Sequence, residues 1–530
     1  MGPFRRPALL FATLAVLSQP WTALPASAQS SVPAEPWFGL PLPPGFLPHA
    51  APVIIGPRVI PATVPAGEGG SPELEAAQIF EDLGAIVDFS RDSRLRREVG
   101  DGQLWGRITG FPSSARTIEW ATQKFREAEI ERVELQSFQQ SGNASLWLPL
   151  LWEVRLLGDP AFGPGSADVV LESAMPLSPS EIPGGTLTAS LIYVGNATPA
   201  ELEGVDVSGK VVLQTVIPQG HMVFERGPTV SRAQDLMDRG AVAVLNAVHL
   251  PGNERSRDFS NCGGPCFNLG GRDGFFLEKL LSEATEAGVA DRVRVSLTLR
   301  AQAFSGLEAV NGIAVIPGSA SEEAIVLNAH ADAWFDGAGD NGDGLAVLVA
   351  LARHFAAPEN RLERTLVFVA SAGHHTPGLN GPGNFIAMNP DLARNAVLVI
   401  NIEHVAQRNI SPARSVFPDG YREYIAGSGE APIVAGVTNR SPFIEEVLQE
   451  GVARYGVNLV SEGSAMSSGE TGGYGPLGVA RVTVMQAPPL YHTSGEVLDV
   501  VSAPGLERAA RFFAYFLKEM SGAPAELINP

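Results

Sequence analysis

Residues Ala324 to His354 read AIVLNAHADAWFDGAGDNGDGLAVLVALARH. The opening run, Ala324 to Leu327, is apolar without alternation, the pattern of a strand buried on both faces. From Gly344 to Phe355 a second apolar run is long enough for a helix. Between them a glycine-loosened loop carries His330, Asp332, Asp336, Asp340 and Asp343. In an open α/β sheet, acids and an imidazole at the carboxyl end of a strand stand where such folds place their chemistry.

Outward from this stretch the same pattern repeats. TLVFVASAG, AVLVINIEHV and VARVTVMQAP are buried-type runs, and helical patterns fall at Gly344–Phe355, Pro442–Tyr455 and Pro504–Met520. Strands alternating with helices predict an α/β fold, a mostly parallel mixed sheet flanked by helices. Upstream, Ser114 to Glu129 is helical with Ile118, Ala121 and Phe125 on one face, and Val133 to Phe138 alternates as a strand. Between Leu187 and Leu299 short strands and two helices, near Val230–Arg239 and Phe275–Glu286, form a block with its own turns, predicted to be a smaller inserted α/β domain. The expected boundaries are a segment 73–164, the insert 165–303, and the main part 304–525.

The chain has 530 residues, enough for several domains. Its 45% hydrophobic and 18% charged residues place it among globular proteins. A formal charge of −20 argues against a nucleic-acid partner, which needs clustered Lys and Arg. Arg5 and Arg6, the apolar stretch Ala8 to Leu17, and Ala26-Ser27-Ala28 read as a signal peptide over 1–28. The chain is therefore expected to be exported, to a periplasmic or extracellular location, with no membrane span. Residues 29–72 are rich in Pro and Ala and read as a linker or surface arm. Cys262 and Cys266, in NCGGPC, read as a loop-closing disulfide, since two thiols fall short of a metal site. Oligomeric state is not legible.

Three motif matches fail on chemistry. Gly337 to Gly342 satisfies G-x-G-x-x-G, but Asp340 would face the pyrophosphate. Gly204 to Lys210 satisfies G-x-x-x-x-G-K, but Val211 replaces the magnesium-binding hydroxyl. Asp336 to Gly344 resembles a calcium loop without its final glutamate.

Of nine histidines, five follow strand ends: His330, His374, His375, His404 and His492. With Asp340 and Glu403 at the same ends, imidazoles and carboxylates from separate loops form a set that suits zinc. His330-Ala-Asp332, Asp340-Asn-Gly-Asp-Gly344 and Tyr491-His492-Thr493 together resemble the co-catalytic zinc exopeptidase family that includes bacterial leucyl aminopeptidases and glutamate carboxypeptidase. The block from about Gly165 to Ala303 resembles the protease-associated insert of some members, through GVDVSGKVVL and DLMDRGAVAVL. The resemblance implies a two-zinc site, and the imidazole of His375 in place of a carboxylate predicts that one of the two is held more weakly. Asp340 would bridge, His330 and Glu403 would complete one metal, and His375 and His492 the other, while Asp332 would hold the second nitrogen of His330.

Where that family has Glu-Glu, this chain has His374-His375. His375 replaces a ligand, and His374 stands at the place of the general base, with Glu470 in SSGETGG as a second candidate. Glu403 and His404 could exchange roles, since neighbouring strand residues face opposite ways. The resemblance implies a metallopeptidase, an aminopeptidase-like exopeptidase hydrolysing peptide or N-acyl amide bonds through a metal-activated water. The alternatives are a catalytically impaired metal-binding or scaffold protein of the same fold, or a mononuclear-zinc amidohydrolase or acyltransferase.

Overall fold

The computed structural model describes residues 32–177, 179–218, 232–257, 262–413, 423–461, 469–486 and 488–530. The signal-peptide segment 1–28, His221, the start of the Val230–Arg239 helix and most of the loop before Glu470 lie outside them.

The sequence pattern after residue 311 becomes one eight-stranded mixed sheet. Its strands, in chain order, are β1 (Arg132–Gln139), β2 (Glu308–Ile316), β3 (Ala324–His330), β4 (Thr365–Ser371), β5 (Ala396–Ile402), β6 (Ile433–Val437), β7 (Leu459–Ser461) and β8 (Ala480–Met485). Across the sheet they run β7-β6-β8-β5-β3-β4-β2-β1. The central four, β4, β3, β5 and β8, are mutually parallel, and β2 and β6 flank them antiparallel. The chain leaves β3 for β4 on one side and returns to β5 on the other. The carboxyl end of β3 is thus the switch point where open sheets hold their ligands.

Helices α1 (Ala76–Leu95), α2 (Pro112–Glu127), α3 (Gly344–Ala356), α4 (Pro442–Tyr455) and α5 (Ala503–Gly522) cover this sheet. Pro at the first turn starts α2, α4 and α5, where a missing N–H costs nothing. Helix α3 is buried nearly all round, which explains why its sequence lacks a polar face. Gly344 opens it because a side chain there would run into the carbonyl of Ile402 and the amide of Asn341.

A second eight-stranded sheet spans Leu146 to Phe304. Leu146–Leu156 pairs with Arg294–Phe304 in it, so the sheet begins ahead of the composition change near residue 165. Its parallel part, Thr186–Tyr193, Val211–Val216, Ala243–Val248 and Cys266–Leu269, is packed by the helix Gly271–Glu286. The G-x-x-x-x-G-K match is the turn before Val211–Val216. Cys262 and Cys266 are joined as a disulfide.

The arm packs on the second core and adds a strand to a small three-stranded sheet. Trp37 packs on Phe162 and Phe276 in the second core, and Ile54–Ile55 pairs with Tyr424–Ile425. His49 Nδ1 lies 2.6 Å from Asp336. No helix among the described residues is long and apolar enough to cross a membrane.

Candidate metal centre

The loop from His330 to Asp340 is held from behind by polar groups that the sequence does not advertise. Ala333–Trp334 pairs antiparallel with Gly106–Arg107. The Arg107 side chain, fully buried, donates to the carbonyls of Ala331 (2.9 Å), Asp336 (2.8 Å) and Gly337 (3.0 Å). Burial lowers its guanidinium to about 10, still charged at neutral pH. Asp336 is used up by His49, Arg91 and Trp105, and Asp343 accepts from the Ala406 N–H at 2.8 Å. The acids of the apparent calcium loop therefore serve separate purposes, and Asp340 alone turns inward.

Four imidazoles converge on Asp340. His330 ends β3, His375 follows β4, His404 follows β5 and His492 lies in the loop after β8. Oδ1 of Asp340 is 3.2 Å from His330 Nε2 and 2.9 Å from His404 Nε2. Oδ2 is 3.1 Å from His375 Nε2 and 2.8 Å from His492 Nε2. His404 and His492 both take left-handed backbone (φ 49° and 53°), a strained geometry for residues with a Cβ.

The tautomers follow from the other ring nitrogens. His330 donates its Nδ1–H to the Asp332 carbonyl (3.0 Å), and His404 donates its Nδ1–H to the Gln486 carbonyl (3.0 Å). A carbonyl only accepts, so both Nε2 atoms face the same carboxylate oxygen with either a proton or a lone pair. A lone pair aimed at a carboxylate is repulsive unless a cation stands between them. His330 Nε2 makes no hydrogen bond although it is buried. Two nitrogens on each oxygen of one bridging carboxylate is a donor set that fits two borderline-soft dications.

Electrostatics agree. Burial opposes charge on His330, but Glu470, Asp332, Asp340 and Glu403 outweigh it and hold the ring well above its usual pKa. His404 is raised despite burial, by Asp340 first. Burial lowers His375 to about 4, so this imidazole is neutral and ready to ligate. Asp340 sits well below the carboxylate range despite burial, through His375 and His404.

All eight candidate residues meet at this rim, and the contacts of two of them differ from those expected. The group that joins His330 and Asp340 in one cluster is His404, whereas Glu403 Oε1 stands 3.8 Å from both His330 Nε2 and His404 Nε2. Glu403 groups instead with His330, His374 and Glu470. Asp332 meets His330 Nδ1 through its backbone carbonyl, its carboxylate being 3.6 Å away. That carboxylate accepts from the backbone N–H of His375 (2.9 Å) and of His374 (3.4 Å), so it tethers the His-His turn to the β3 loop.

His374 stacks on His330 with ring centres 4.2 Å apart, and its Nδ1 is 2.6 Å from Glu470 Oε1. The two candidates for the base are thus a hydrogen-bonded pair. Burial disfavours the charged ring, but Glu470 raises His374 to about 9.

No curated protein matches the chain by sequence. Residues 311–517 match the model for Peptidase family M28. The fold is similar to that of several solved structures, including these three. One is a Peptidase M28 precursor from Shewanella amazonensis SB2B (17% identity, 84% of this chain and 96% of that one, TM-score 0.57). The second is BSAP, a zinc aminopeptidase from Bacillus subtilis (16%, 86% and 98%, 0.55), and the third an aminopeptidase from Aneurinibacillus sp. strain AM-1 (18%, 87% and 97%, 0.51). Every group of the strand-end site falls within the matched residues, so the site lies in the part of the chain that is similar to Peptidase family M28.

Proposed function

We propose that this chain is an exported, aminopeptidase-like zinc exopeptidase in which an imidazole paired with a carboxylate does the work usually given to a carboxylate base. The observation that carries the reading is Asp340 with two imidazole nitrogens on each of its oxygens. His330, His404 and Asp340 would hold one zinc, with Glu403 beside them, and Asp340, His375 and His492 the other. When bound, zinc polarises the scissile carbonyl and acidifies water.

The residues of the chain supply the rest. His374 accepts the proton of the attacking water and passes it to the leaving amine. Glu470 orients the ring and stabilises its protonated form, which forms during the reaction. His374 must start neutral, and cationic neighbours oppose the pull of Glu470 in that direction. Asp332 fixes the turn on which both His374 and His375 sit.

The Lewis-acid pair carries less protein negative charge than a carboxylate-rich site, since His375 replaces an acid, and the second zinc is expected to be held more weakly. Export is supported by the signal-peptide pattern over 1–28 and by the disulfide, which persists in oxidising compartments. The unit built on the second sheet is read as a protease-associated-like insert. Peptides with a free end, or N-acyl amides, are the substrate class.

The test is metal content per chain, with turnover of aminoacyl and N-acyl amides. Hydrolysis lost in both His374→Ala and Glu470→Ala, with metal content retained, is the expected result. Full activity in His374→Ala sinks the assignment of the base. Metal-bound protein without any hydrolysis would favour a scaffold.

A further inference from the structure

Beside the pair centred on Asp340 lies a second group of donors. One ligand atom from each of His330, His374, Glu403 and Glu470 falls within 4.8 Å of the others. Glu403 and Glu470 are both buried. Glu403 Oε2 accepts from Asn401 (2.7 Å), but its Oε1 lies 3.8 Å from the nearest imidazole nitrogens, beyond hydrogen-bond range. Glu470 Oε1 is taken by His374, while Glu470 Oε2 is buried and makes no hydrogen bond. A buried carboxylate oxygen with no donor is costly, and a cation offsets that cost.

His330 Nε2 has one lone pair and already faces Asp340 Oδ1 at 3.2 Å. It cannot serve two cations. Without it, His374, Glu403 and Glu470 still offer three side chains with two negative charges. A cation entering there must replace the His374–Glu470 hydrogen bond and adds a third positive centre beside the Asp340 pair, so this position fills after the pair. Two carboxylates and an imidazole suit zinc and also manganese. Glycine at 469 leaves room for this approach, because a side chain there would collide with Glu403 Oε2.

We propose that His374, Glu403 and Glu470 form a third divalent-cation position, adjoining the pair and filled at higher metal concentration, which withdraws His374 from proton transfer when occupied. The inference rests on the reading of His374 as base for its effect on turnover, but not for the binding itself. The enzyme is then self-limiting in metal. Activity rises as two equivalents bind and falls as the third enters.

The test uses the full purified protein, stripped with chelator and titrated with zinc alone, with bound metal counted by equilibrium dialysis and mass spectrometry. Two equivalents are expected first, and a third at tenfold or higher free zinc, with turnover of an aminoacyl p-nitroanilide falling over the same range. In Glu470→Gln and Glu403→Gln the third equivalent should be lost or shifted at least tenfold, with the other two remaining. Zinc-edge anomalous diffraction from wild-type crystals at high zinc should show a peak among the three side chains, which keeps the test independent of how the variants fold. Saturation at two equivalents, or a third that persists unchanged in both variants, overturns the proposal. Protein that binds the third ion but never hydrolyses peptides leaves this site standing and removes the peptidase reading instead.

Discussion

Asp332→Asn separates the two things that the buried carboxylate does. In the wild type, Oδ2 accepts from the His375 N–H at 2.9 Å and Oδ1 from the His374 N–H at 3.4 Å, with neither oxygen exposed. An asparagine turns its one oxygen to the stronger bond at His375, which sets its NH2 against the N–H of His374 and near Nδ1–H of His330. Donor then faces donor. Loss of one charge-assisted bond in a buried setting costs about 1.5–3 kcal/mol. The same change frees the turn that aims His375 and weakens the field that orients His330, and such supporting contacts are worth roughly 10–100-fold in metal affinity. The two effects separate in chemical denaturation with chelator and with zinc. The purely structural loss appears in both conditions. The metal-linked part, about 1.4–2.7 kcal/mol, appears only with zinc. Zinc affinity within twofold of wild type and an unchanged denaturation midpoint would refute the assignment of Asp332 as the tether of the His-His turn.

Three further outcomes follow from the same geometry. His404→Ala should lose one tightly bound metal and leave the Gln486 carbonyl unpaired, at about 1–3 kcal/mol of stability; unchanged metal content would return the ligand role to Glu403. Arg107→Met should destabilise by roughly 2–5 kcal/mol, because three buried loop carbonyls and Ser90 lose their donor, and metal loss should accompany it in dialysis. Asp343 is buried and raised to about 7 by that burial. Its folded form therefore keeps a proton that the unfolded chain releases near pH 4, and in metal-free protein stability should fall by on the order of 4 kcal/mol as pH rises from about 4 to about 7. Asp343→Asn retains an acceptor for Ala406 and should flatten that slope; an unaltered pH dependence of the denaturation midpoint would count against it.

The sheet was legible because its four central strands are largely buried and read as mostly apolar runs, rich in Val, Ile, Leu and Ala. The rim residues were legible because histidine is scarce and five of nine follow strand ends. What stayed hidden depends on backbone geometry. Glu403 and His404 are neighbours, and only the left-handed turn at His404, with its Nδ1 fixed by Gln486, brings that ring onto Asp340. A resemblance that aligns an acid with an acid selects Glu403; the adjacent His404 offers the alternative, and only the backbone turn decides which of the two side chains meets Asp340. Arg107 was equally silent, an arginine in an unremarkable GRITG segment whose carbonyl partners lie more than two hundred residues away. The His374–Glu470 bond joins residues on separate loops, so the two rival bases could not be recognised as one unit from spacing.

The second sheet has a closer relation to the metal centre than its position in the sequence suggests. Trp334 and Phe335, from the loop between His330 and Asp340, belong to its hydrophobic core rather than to that of the first sheet. On the other side, Ser256 bridges to Thr493, Ser494 N–H donates to the Arg255 carbonyl, and Arg257 N–H donates to the His492 carbonyl at 3.0 Å. The guanidinium of Arg257 lies 4.0 Å from the centre of the Trp334 ring, and that ring lies 5.6 Å from His375. One element thus grips the Asp340 loop by burying two aromatic side chains and the His492 loop by backbone hydrogen bonds. A unit that merely capped the rim would touch it through side chains and could part from it cheaply. Here separation would expose Trp334 and Phe335, about 3–6 kcal/mol of apolar burial by side chain alone, and would release the backbone of His492. The two halves of the Asp340 site are therefore braced against each other through the second sheet as much as through the first.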